Sequence, residues 1–466
     1  MTKARLRFPP SPTGPLHIGN VRTGLFNYLL AKKLGGAYVL RIEDTDQERS
    51  KKKYESEIFE SLKWLGLTPD EGPQEGGPFG PYRQTERHAF YDAALKLLLT
   101  ERKVFYCSHA LAAEDEKPAV HWCEFRDGGA GQGIIRFKTP KEEVITFADI
   151  IRGPISVETN LIGDFSIARN LESPLYNFAN VIDDHEMQIT HVLRGEDHIP
   201  NTPKQILLQR ALGYESPQYG HLPLILGKDR SKLSKRHGAV ALAEYQRQGY
   251  LPEAIINYLA LLGWNPGTEQ EIFTRNELID CFSIEKVHRA GAVFDTEKLD
   301  WMNGEYIRRT PLADLTEKLI PFLSSAGIQT ETIARDTLEQ IILLEQPRLK
   351  KLAEIGERVD FYFREPKITV DLLQWKLMSA QEVSAALDES IELLTKFKVE
   401  NPTKDCLEAV FLPAATARGD RGSLLWPLRA ALTGKKASPG PFDIIPILGK
   451  AASVKRLESA KAILRG

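Results

Sequence analysis

Cysteine is scarce in this chain: four residues in 466 do not make a disulfide framework. No apolar run is long enough to span a bilayer and no signal-peptide pattern opens the sequence, so a cytoplasmic protein with no membrane contact is expected. Charge of one sign is lacking too. Lys and Arg number 61 against 63 Asp and Glu, a formal net charge of -2, which argues against a protein that coats nucleic acid through a general positive field. Any nucleic-acid contact must then use local patches. The strongest runs from Arg429 to Arg465, with eight basic residues against two acidic ones, and it fits a solvated helical surface equally well. Internal repeats and low-complexity tracts are missing. What is present is a 42% apolar fraction, enough at this length to build two to four domain cores.

From residue 3 to about 100 the pattern is strand, loop, helix, strand, helix: RLRF, NVRTGLFNYLLAKKLGG, AYVLRIED and YESEIFESLKWLGL. Alternation of this kind implies an α/β fold with a parallel sheet. The helix predicted over 20–34 places Val21, Leu25, Tyr28 and Leu29 on one face, and Gly35 and Gly36 end it. Residues 101–195 change character, with loops rich in Gly and acids and short β-like runs (GIIRFK, PISVE, HEMQITHVL), as in an insertion between the halves of the sheet. From 196 the α/β pattern returns with TPKQILLQRALG and a predicted strand HLPLIL. Helical runs dominate after about 311, predicting an all-helical C-terminal third that includes DTLEQIILLEQPRLKKLAEIGERVDFYF as one run.

Two motifs carry chemistry. In RFPPSPTGPLHIGN, at 7–20, prolines and glycines set a tight turn between strand and helix. Gly14 and Gly19 permit close approach to a flat ligand, the helix N-terminus offers free N–H groups to phosphate, and His17 can donate to charge developing there. GKDRSKLSKRHGA, at 227–239, sets Lys228, Arg230, Lys232, Lys235 and Arg236 against the single acid Asp229. Such a loop suits a leaving pyrophosphate if it closes when nucleotide binds. Alone, either motif also fits a surface turn with an ordinary histidine or solvated cations.

Together they resemble the HIGH-type and KMSKS-type motifs of class I aminoacyl-tRNA synthetases. With LRIEDTD at 40–46, YNFANVIDDHEMQITHVLRGEDH at 176–198, HRAGAVFDTEKLDWMNGEYIR at 288–308 and PLRAALTGKKASPGPFDIIPILGK at 427–450, nearly the whole chain is similar to bacterial-type glutamyl-tRNA synthetases. The resemblance implies a Rossmann-like catalytic domain in two halves, 1–100 and 196–240, split by an α+β acceptor-end domain at 101–195. A stem-contact or connecting domain follows at 241–310, and a helical anticodon-binding region at 311–466, in two parts meeting near 375. It implies ATP-dependent ligation of L-glutamate to the 3′ end of tRNA(Glu) through a glutamyl-adenylate, with Mg²⁺, in a monomer.

By the same matching, Pro10, Ser11, Gly14, His17, Gly19, Asn20, Lys232, Leu233, Ser234, Lys235 and Arg236 are expected at ATP, with His17, Lys232, Lys235 and Arg236 acting in catalysis. Arg7, Ser11, Glu43, Tyr176, Asn180, Arg194 and Asp197 are expected around glutamate: a side-chain carboxylate calls for the guanidinium fork of Arg, and Glu43 matches the acid that holds the α-ammonium. Arg348 is the candidate anticodon contact. The sequence departs from the family pattern at Pro9 for alanine, at His198 for tryptophan, and at Asn20 for a second histidine.

Cys107 with His109 and His121 with Cys123 form C-x-H and H-x-C pairs across eleven residues, a donor set that structural zinc uses. The other reading is four unrelated residues in an irregular hairpin. Three further functional readings remain: a non-discriminating enzyme that also charges tRNA(Gln), a glutaminyl-tRNA synthetase, and a catalytically silent tRNA-binding paralogue. The second expects β-barrel anticodon domains, against the helical C-terminus. The third expects a damaged nucleotide site, against two intact motifs.

Overall fold

The computed structural model describes residues 3–46, 48–109, 120–127, 132–233 and 241–464. They divide into two compact units, Met1–Gln246 with Leu251–Leu299, and Arg247–Tyr250 with Asp300–Gly466. Among them no helix is long and apolar enough to cross a membrane.

Strand β1 (Arg5–Phe8) is buried along its length although RLRF contains two arginines. Each therefore needs a carboxylate, since an unpaired charge cannot stay in a core. Arg5 takes Glu71 in a fork, at 2.6 and 2.8 Å, and Arg7 takes Asp184. In register beside β1 runs β2 (Ala37–Leu40), parallel, with Arg7 opposite Val39.

Between them the helix Ile18–Lys33 crosses over. Its Val21, Leu25, Tyr28 and Leu29 are buried as the spacing predicts. Gly35 lies in the left-handed region at φ 59° and follows the last helical turn. A Cβ on Gly36 would sit 2.3 Å from the Ala4 carbonyl oxygen, so only glycine lets the chain enter β2 there.

Seven further strands of the first unit are β3 (Val104–Cys107), β4 (Ile134–Phe137), β5 (Val144–Asp149), β6 (Gly153–Glu158), β7 (Ser166–Ala168), β8 (His191–Gly195) and β9 (Gln218–Leu222). The large sheet has the order β2-β1-β8-β9-β5-β6, and β3-β4-β7 form a separate antiparallel sheet. Strands β2, β1, β8, β9 and β5 run parallel, and β6 returns antiparallel on the edge.

Two sequence expectations need correction here. The HVL run, read as part of the insertion, is β8 in the middle of the large sheet; its centre is buried, as a covered parallel strand requires. HLPLIL is not one strand. The ladder stops at Leu222, and Ile225–Leu226 (β10) pairs instead with Ala292–Val293 (β11). Pro223 has no N–H to continue the ladder, and its carbonyl accepts from Arg22.

In the second unit no strand occurs among the described residues, in line with the helical reading. Its helices include Leu312–Ser325 and Arg335–Glu345, and Ala380–Thr395, Gly422–Thr433 and Lys450–Ile463 pack around a core of Phe361, Leu387, Leu394, Phe411, Leu428 and Leu457. The long run from Asp336 is interrupted. The helix ends at Glu345, 3₁₀ turns cover Gln346–Arg348 and Leu352–Glu354 with Leu349 extended between them, and helix resumes over Ile355–Phe363.

Candidate active site

In the large sheet β1 has β2 on one side and β8 on the other. Chain direction around the sheet reverses there, and the crevice beyond the carboxyl ends of the strands is where an open α/β sheet binds ligands. A cavity of about 800 Å³ lies at this place. Arg7 and Arg194 come to it from β1 and β8, and the turn between β1 and the first helix supplies Pro10, Ser11, Gly14 and His17. Gly19 and Asn20 line it from the first helical turn. That turn holds no acidic residue, so its free N–H groups keep their positive field. A Cβ on Gly14 or Gly19 would meet nothing within 4 Å; both face open space.

The floor is a buried charge network. Arg7 donates from Nε and Nη2 to Asp184, at 3.0 and 3.3 Å. Arg41, fully buried behind it, donates to Asp184 at 2.7 Å, to Asn180 at 2.7 Å and to Glu43 at 3.2 Å. Burial alone would raise the Asp184 carboxyl, but Arg7 and Arg41 outweigh it and hold it below the usual carboxylate range. At Glu43 burial wins and the carboxyl is raised, against the pull of the same arginines. Below these, Asp183 is bound by Arg87 at 2.6 Å, with Gln84 and Tyr91 also donating to it. Arg7 Nη1 is buried and has no hydrogen-bond partner among the described residues.

On the other wall Arg194 donates from Nε to His221 and from Nη2 to Thr202, at 3.2 and 2.8 Å. Its Nη1 is likewise buried without a partner among the described residues. Tyr176 lines the cavity, and its hydroxyl is 3.0 Å from Nδ1 of His198. Burial, helped by the Arg194 charge, lowers the His198 pKa to about 4, so its imidazole is neutral. Lys232 and Leu233 close the mouth, with Lys232 Nζ 3.2 Å from Asp197. Burial would raise the Asp197 carboxyl, but the Lys232 hydrogen bond brings it below its ordinary value.

Most of the residues expected at substrate thus meet in one cavity. Asn180 does not reach its wall; it lies behind, bonded to Arg41 and to the Tyr176 carbonyl. Ser234, Lys235 and Arg236 lie outside the described residues. Arg348 belongs to the second unit, where its Nη1 is 3.4 Å from the buried Glu345. Arg41 and Asp184 were missed from sequence, although a charge inside an apolar strand (VLRIED) and paired acids on an apolar helix (VIDD) are signals that each needs a partner. Arg22 was missed as well. It lines the cavity from the first helix, and burial lowers its pKa to about 10.

At the end of β3 the side chains of Cys107, His109, His121 and Cys123 converge, with all four ligand atoms within 4.8 Å of one another. The Cys107 sulfur is 3.3 Å from His109 Nδ1, 3.6 Å from His121 Nε2 and 3.4 Å from the Cys123 sulfur. With metal bonds of about 2.0 to 2.3 Å, a tetrahedral zinc separates its ligands by about this much. The donor set and its spacing fit the ion. Burial and the Arg136 charge lower the His121 pKa, which keeps its ring in the neutral, ligating form.

Comparison with known proteins agrees from end to end. The family described as tRNA synthetases class I (E and Q), catalytic domain, matches residues 3–118 and 119–301, and the anticodon binding domain family matches 314–461. The glutamate–tRNA ligase of Desulforamulus reducens is 41% identical, over 98% of this chain and 99% of its own. That of Carboxydothermus hydrogenoformans is 42% identical, over 97% and 98%. The crystal structure of a glutamate tRNA ligase from Elizabethkingia meningosepticum, in complex with its amino acid, aligns with a TM-score of 0.88 at 34% identity, covering 99% of this chain and 100% of that one. The chain belongs to the glutamate–tRNA ligase family of class I synthetases, enzymes that use ATP to join glutamate to tRNA.

Proposed function

We propose that the ligation runs in the cavity at the ends of β1 and β8, on tRNA(Glu), with glutamate held between Arg7 and Arg194. The observation that carries this is a pair of guanidinium groups lining one cavity, Arg7 from β1 fixed by Asp184 and Arg194 from β8 fixed by His221 and Thr202. A guanidinium is the side chain whose geometry and permanent charge suit a carboxylate. Glu43, beside the same network, suits the α-ammonium, and Tyr176 and Ser11 complete the wall.

ATP would lie over the N-terminus of the helix Ile18–Lys33, against Pro10, Gly14, Gly19, Asn20 and Leu233. The glutamate α-carboxylate attacks the α-phosphorus, the bond to the bridging oxygen breaks, and pyrophosphate leaves. His17 and Lys232 would stabilise charge on the transferring and leaving phosphates, with Lys235 and Arg236 of the same loop expected to act beside them. The hydroxyl of the terminal adenosine then attacks the glutamyl carbonyl, the bond to the phosphate oxygen breaks, and AMP departs with the hydroxyl proton taken up by its phosphate. The residues act by position and charge rather than by proton transfer.

Among the described residues the Cys/His cluster is the one group of three or more metal-ligating side chains, so no carboxylate cage stands at the cavity. Mg²⁺ fits as an ion carried on the nucleotide's phosphates. Zinc fits Cys107, His109, His121 and Cys123 and would tie the end of β3 to the segment at 121–123, a structural task. Arg348 is assigned to the anticodon and the enzyme is read as a monomer in the cytoplasm.

Charging of purified tRNA(Glu) and, separately, tRNA(Gln) by wild type, Arg7→Ala and Lys235→Ala tests the reading. Charging of tRNA(Glu) alone is expected. Arg7→Ala should raise KM for glutamate about 10- to 100-fold, the loss of a charged hydrogen bond, and Lys235→Ala should lower kcat. Charging of both tRNAs would replace the reading with a non-discriminating enzyme. Loss of neither parameter in folded variants would dismiss these site assignments.

A further inference from the structure

Arg194 has one nitrogen to spare because its other two are fixed, and what fixes Nε is unusual. His221 is its register partner, Arg194 on β8 opposite His221 on β9. Asp149, last residue of β5, stands on the far side: its Oδ2 is 2.6 Å from His221 Nδ1, and both side chains are fully buried. Asp149 enters through the β5–β6 hairpin on the sheet edge, with Tyr219 as its register partner.

We infer that Asp149 and His221 are a positioning pair for Arg194, which fixes the orientation in which its guanidinium lines the cavity and meets the glutamate carboxylate. This rests on the assignment of Arg194 to glutamate.

The proton count follows from chemistry. A guanidinium only donates, so the Arg194 Nε–H at 3.2 Å requires a lone pair on His221 Nε2. The remaining proton must be on Nδ1, where the Asp149 carboxylate accepts it. Arg194 and Asp149 demand the same neutral tautomer, and the Thr202 hydroxyl, 3.1 Å from Nε2, can donate to the same lone pair. Burial lowers the His221 pKa in spite of the Asp149 hydrogen bond, in keeping with a neutral ring rather than an ion pair. Thr202 completes the clamp by accepting from Nη2, and the guanidinium carbon lies 5.5 Å from the centre of the Tyr219 ring. The other Asp149 oxygen accepts from the backbone N–H groups of Ile151 and Arg152, at 2.9 and 2.8 Å, so the carboxylate itself cannot swing away.

Asp149→Asn keeps that turn, since the amide oxygen still accepts from Ile151 and Arg152. Its NH₂ now faces His221 Nδ1, so the ring proton moves to Nε2 and opposes the Arg194 N–H. In full-length enzyme with tRNA(Glu), KM for glutamate is expected to rise about 10- to 100-fold, while KM for ATP stays within about twofold. In ¹⁵N-histidine spectra the His221 signal should change from the Nδ1–H to the Nε2–H form. His221→Gln, whose amide oxygen can accept from Arg194, should be milder, and Asp149→Asn added to it should cost less than about twofold more. Arg194→Gln is the reference. If it leaves KM for glutamate unchanged, the assignment of Arg194 falls and the pair's role with it. If it raises KM and Asp149→Asn does not, the positioning pair alone is overturned. An Nε2–H signal for His221 in the wild type, which needs no folded variant, overturns it too.

Discussion

His198 shows how one side chain can set a pH limit. Its imidazole titrates near 6.5 when free but near pH 4 in the fold, because burial and the Arg194 charge disfavour the cation. The depressed folded value means that its contribution to stability is complete above about pH 6.5 and is lost as pH falls toward 4. Thermal melts from pH 7 to 4 should show a loss of about 2–3 kcal/mol that His198→Gln removes; a variant with the same acid slope as wild type would assign the loss elsewhere. At His17, which lines the cavity at the helix start, substitution by Ala should lower kcat about 10²- to 10³-fold with little change in KM for glutamate, the pattern for a donor to developing charge. His17, Arg7 and Glu43 were legible because they stand in distinctive strings. Arg41 was not: nothing local in VLRIED says that its partners Asp184 and Asn180 lie some 140 residues away.

At the scale of the element, the helix Ile18–Lys33 must start at the cavity and stop in time for β2. Its start is set by the Pro- and Gly-rich turn, and its end by two glycines with different reasons to be there. Gly35 has positive φ and open space around it, so Gly35→Ala should cost about 1–2 kcal/mol, the left-handed strain alone. Gly36→Ala would drive a Cβ into the Ala4 carbonyl, which belongs to the backbone entering β1, and should cost more. Calorimetry of the two variants decides; equal losses would mean that the backbone at Ala4 yields. Periodicity and Gly pairs in the sequence located this helix to within two residues. It failed for HLPLIL, where apolar character is continuous but Pro223 breaks the ladder, and for the run from Asp336, where the chain turns extended at Leu349.

For the whole molecule, the Cys/His cluster sets the test. Zinc analysis should find one ion per chain, lost in Cys107→Ser, and a strong chelator should lower the melting temperature of the protein. A chain free of zinc with unchanged melting would leave the four side chains as a hydrogen-bonded cluster. The sequence by itself determined the family, the two motifs and the helical nature of the C-terminal third, because these depend on local strings, on residue spacing and on Gly and Pro, all of which act between near neighbours. Only the tertiary structure decided which charges pair. Arg7 with Asp184, Arg41 with Asp184 and Arg87 with Asp183, and β8 in the middle of the large sheet, all join residues far apart in the chain. The physical reason is that a buried charge is stable only beside its counterpart, and the sheet order that brings them together follows from how the strands pack, which no local pattern records.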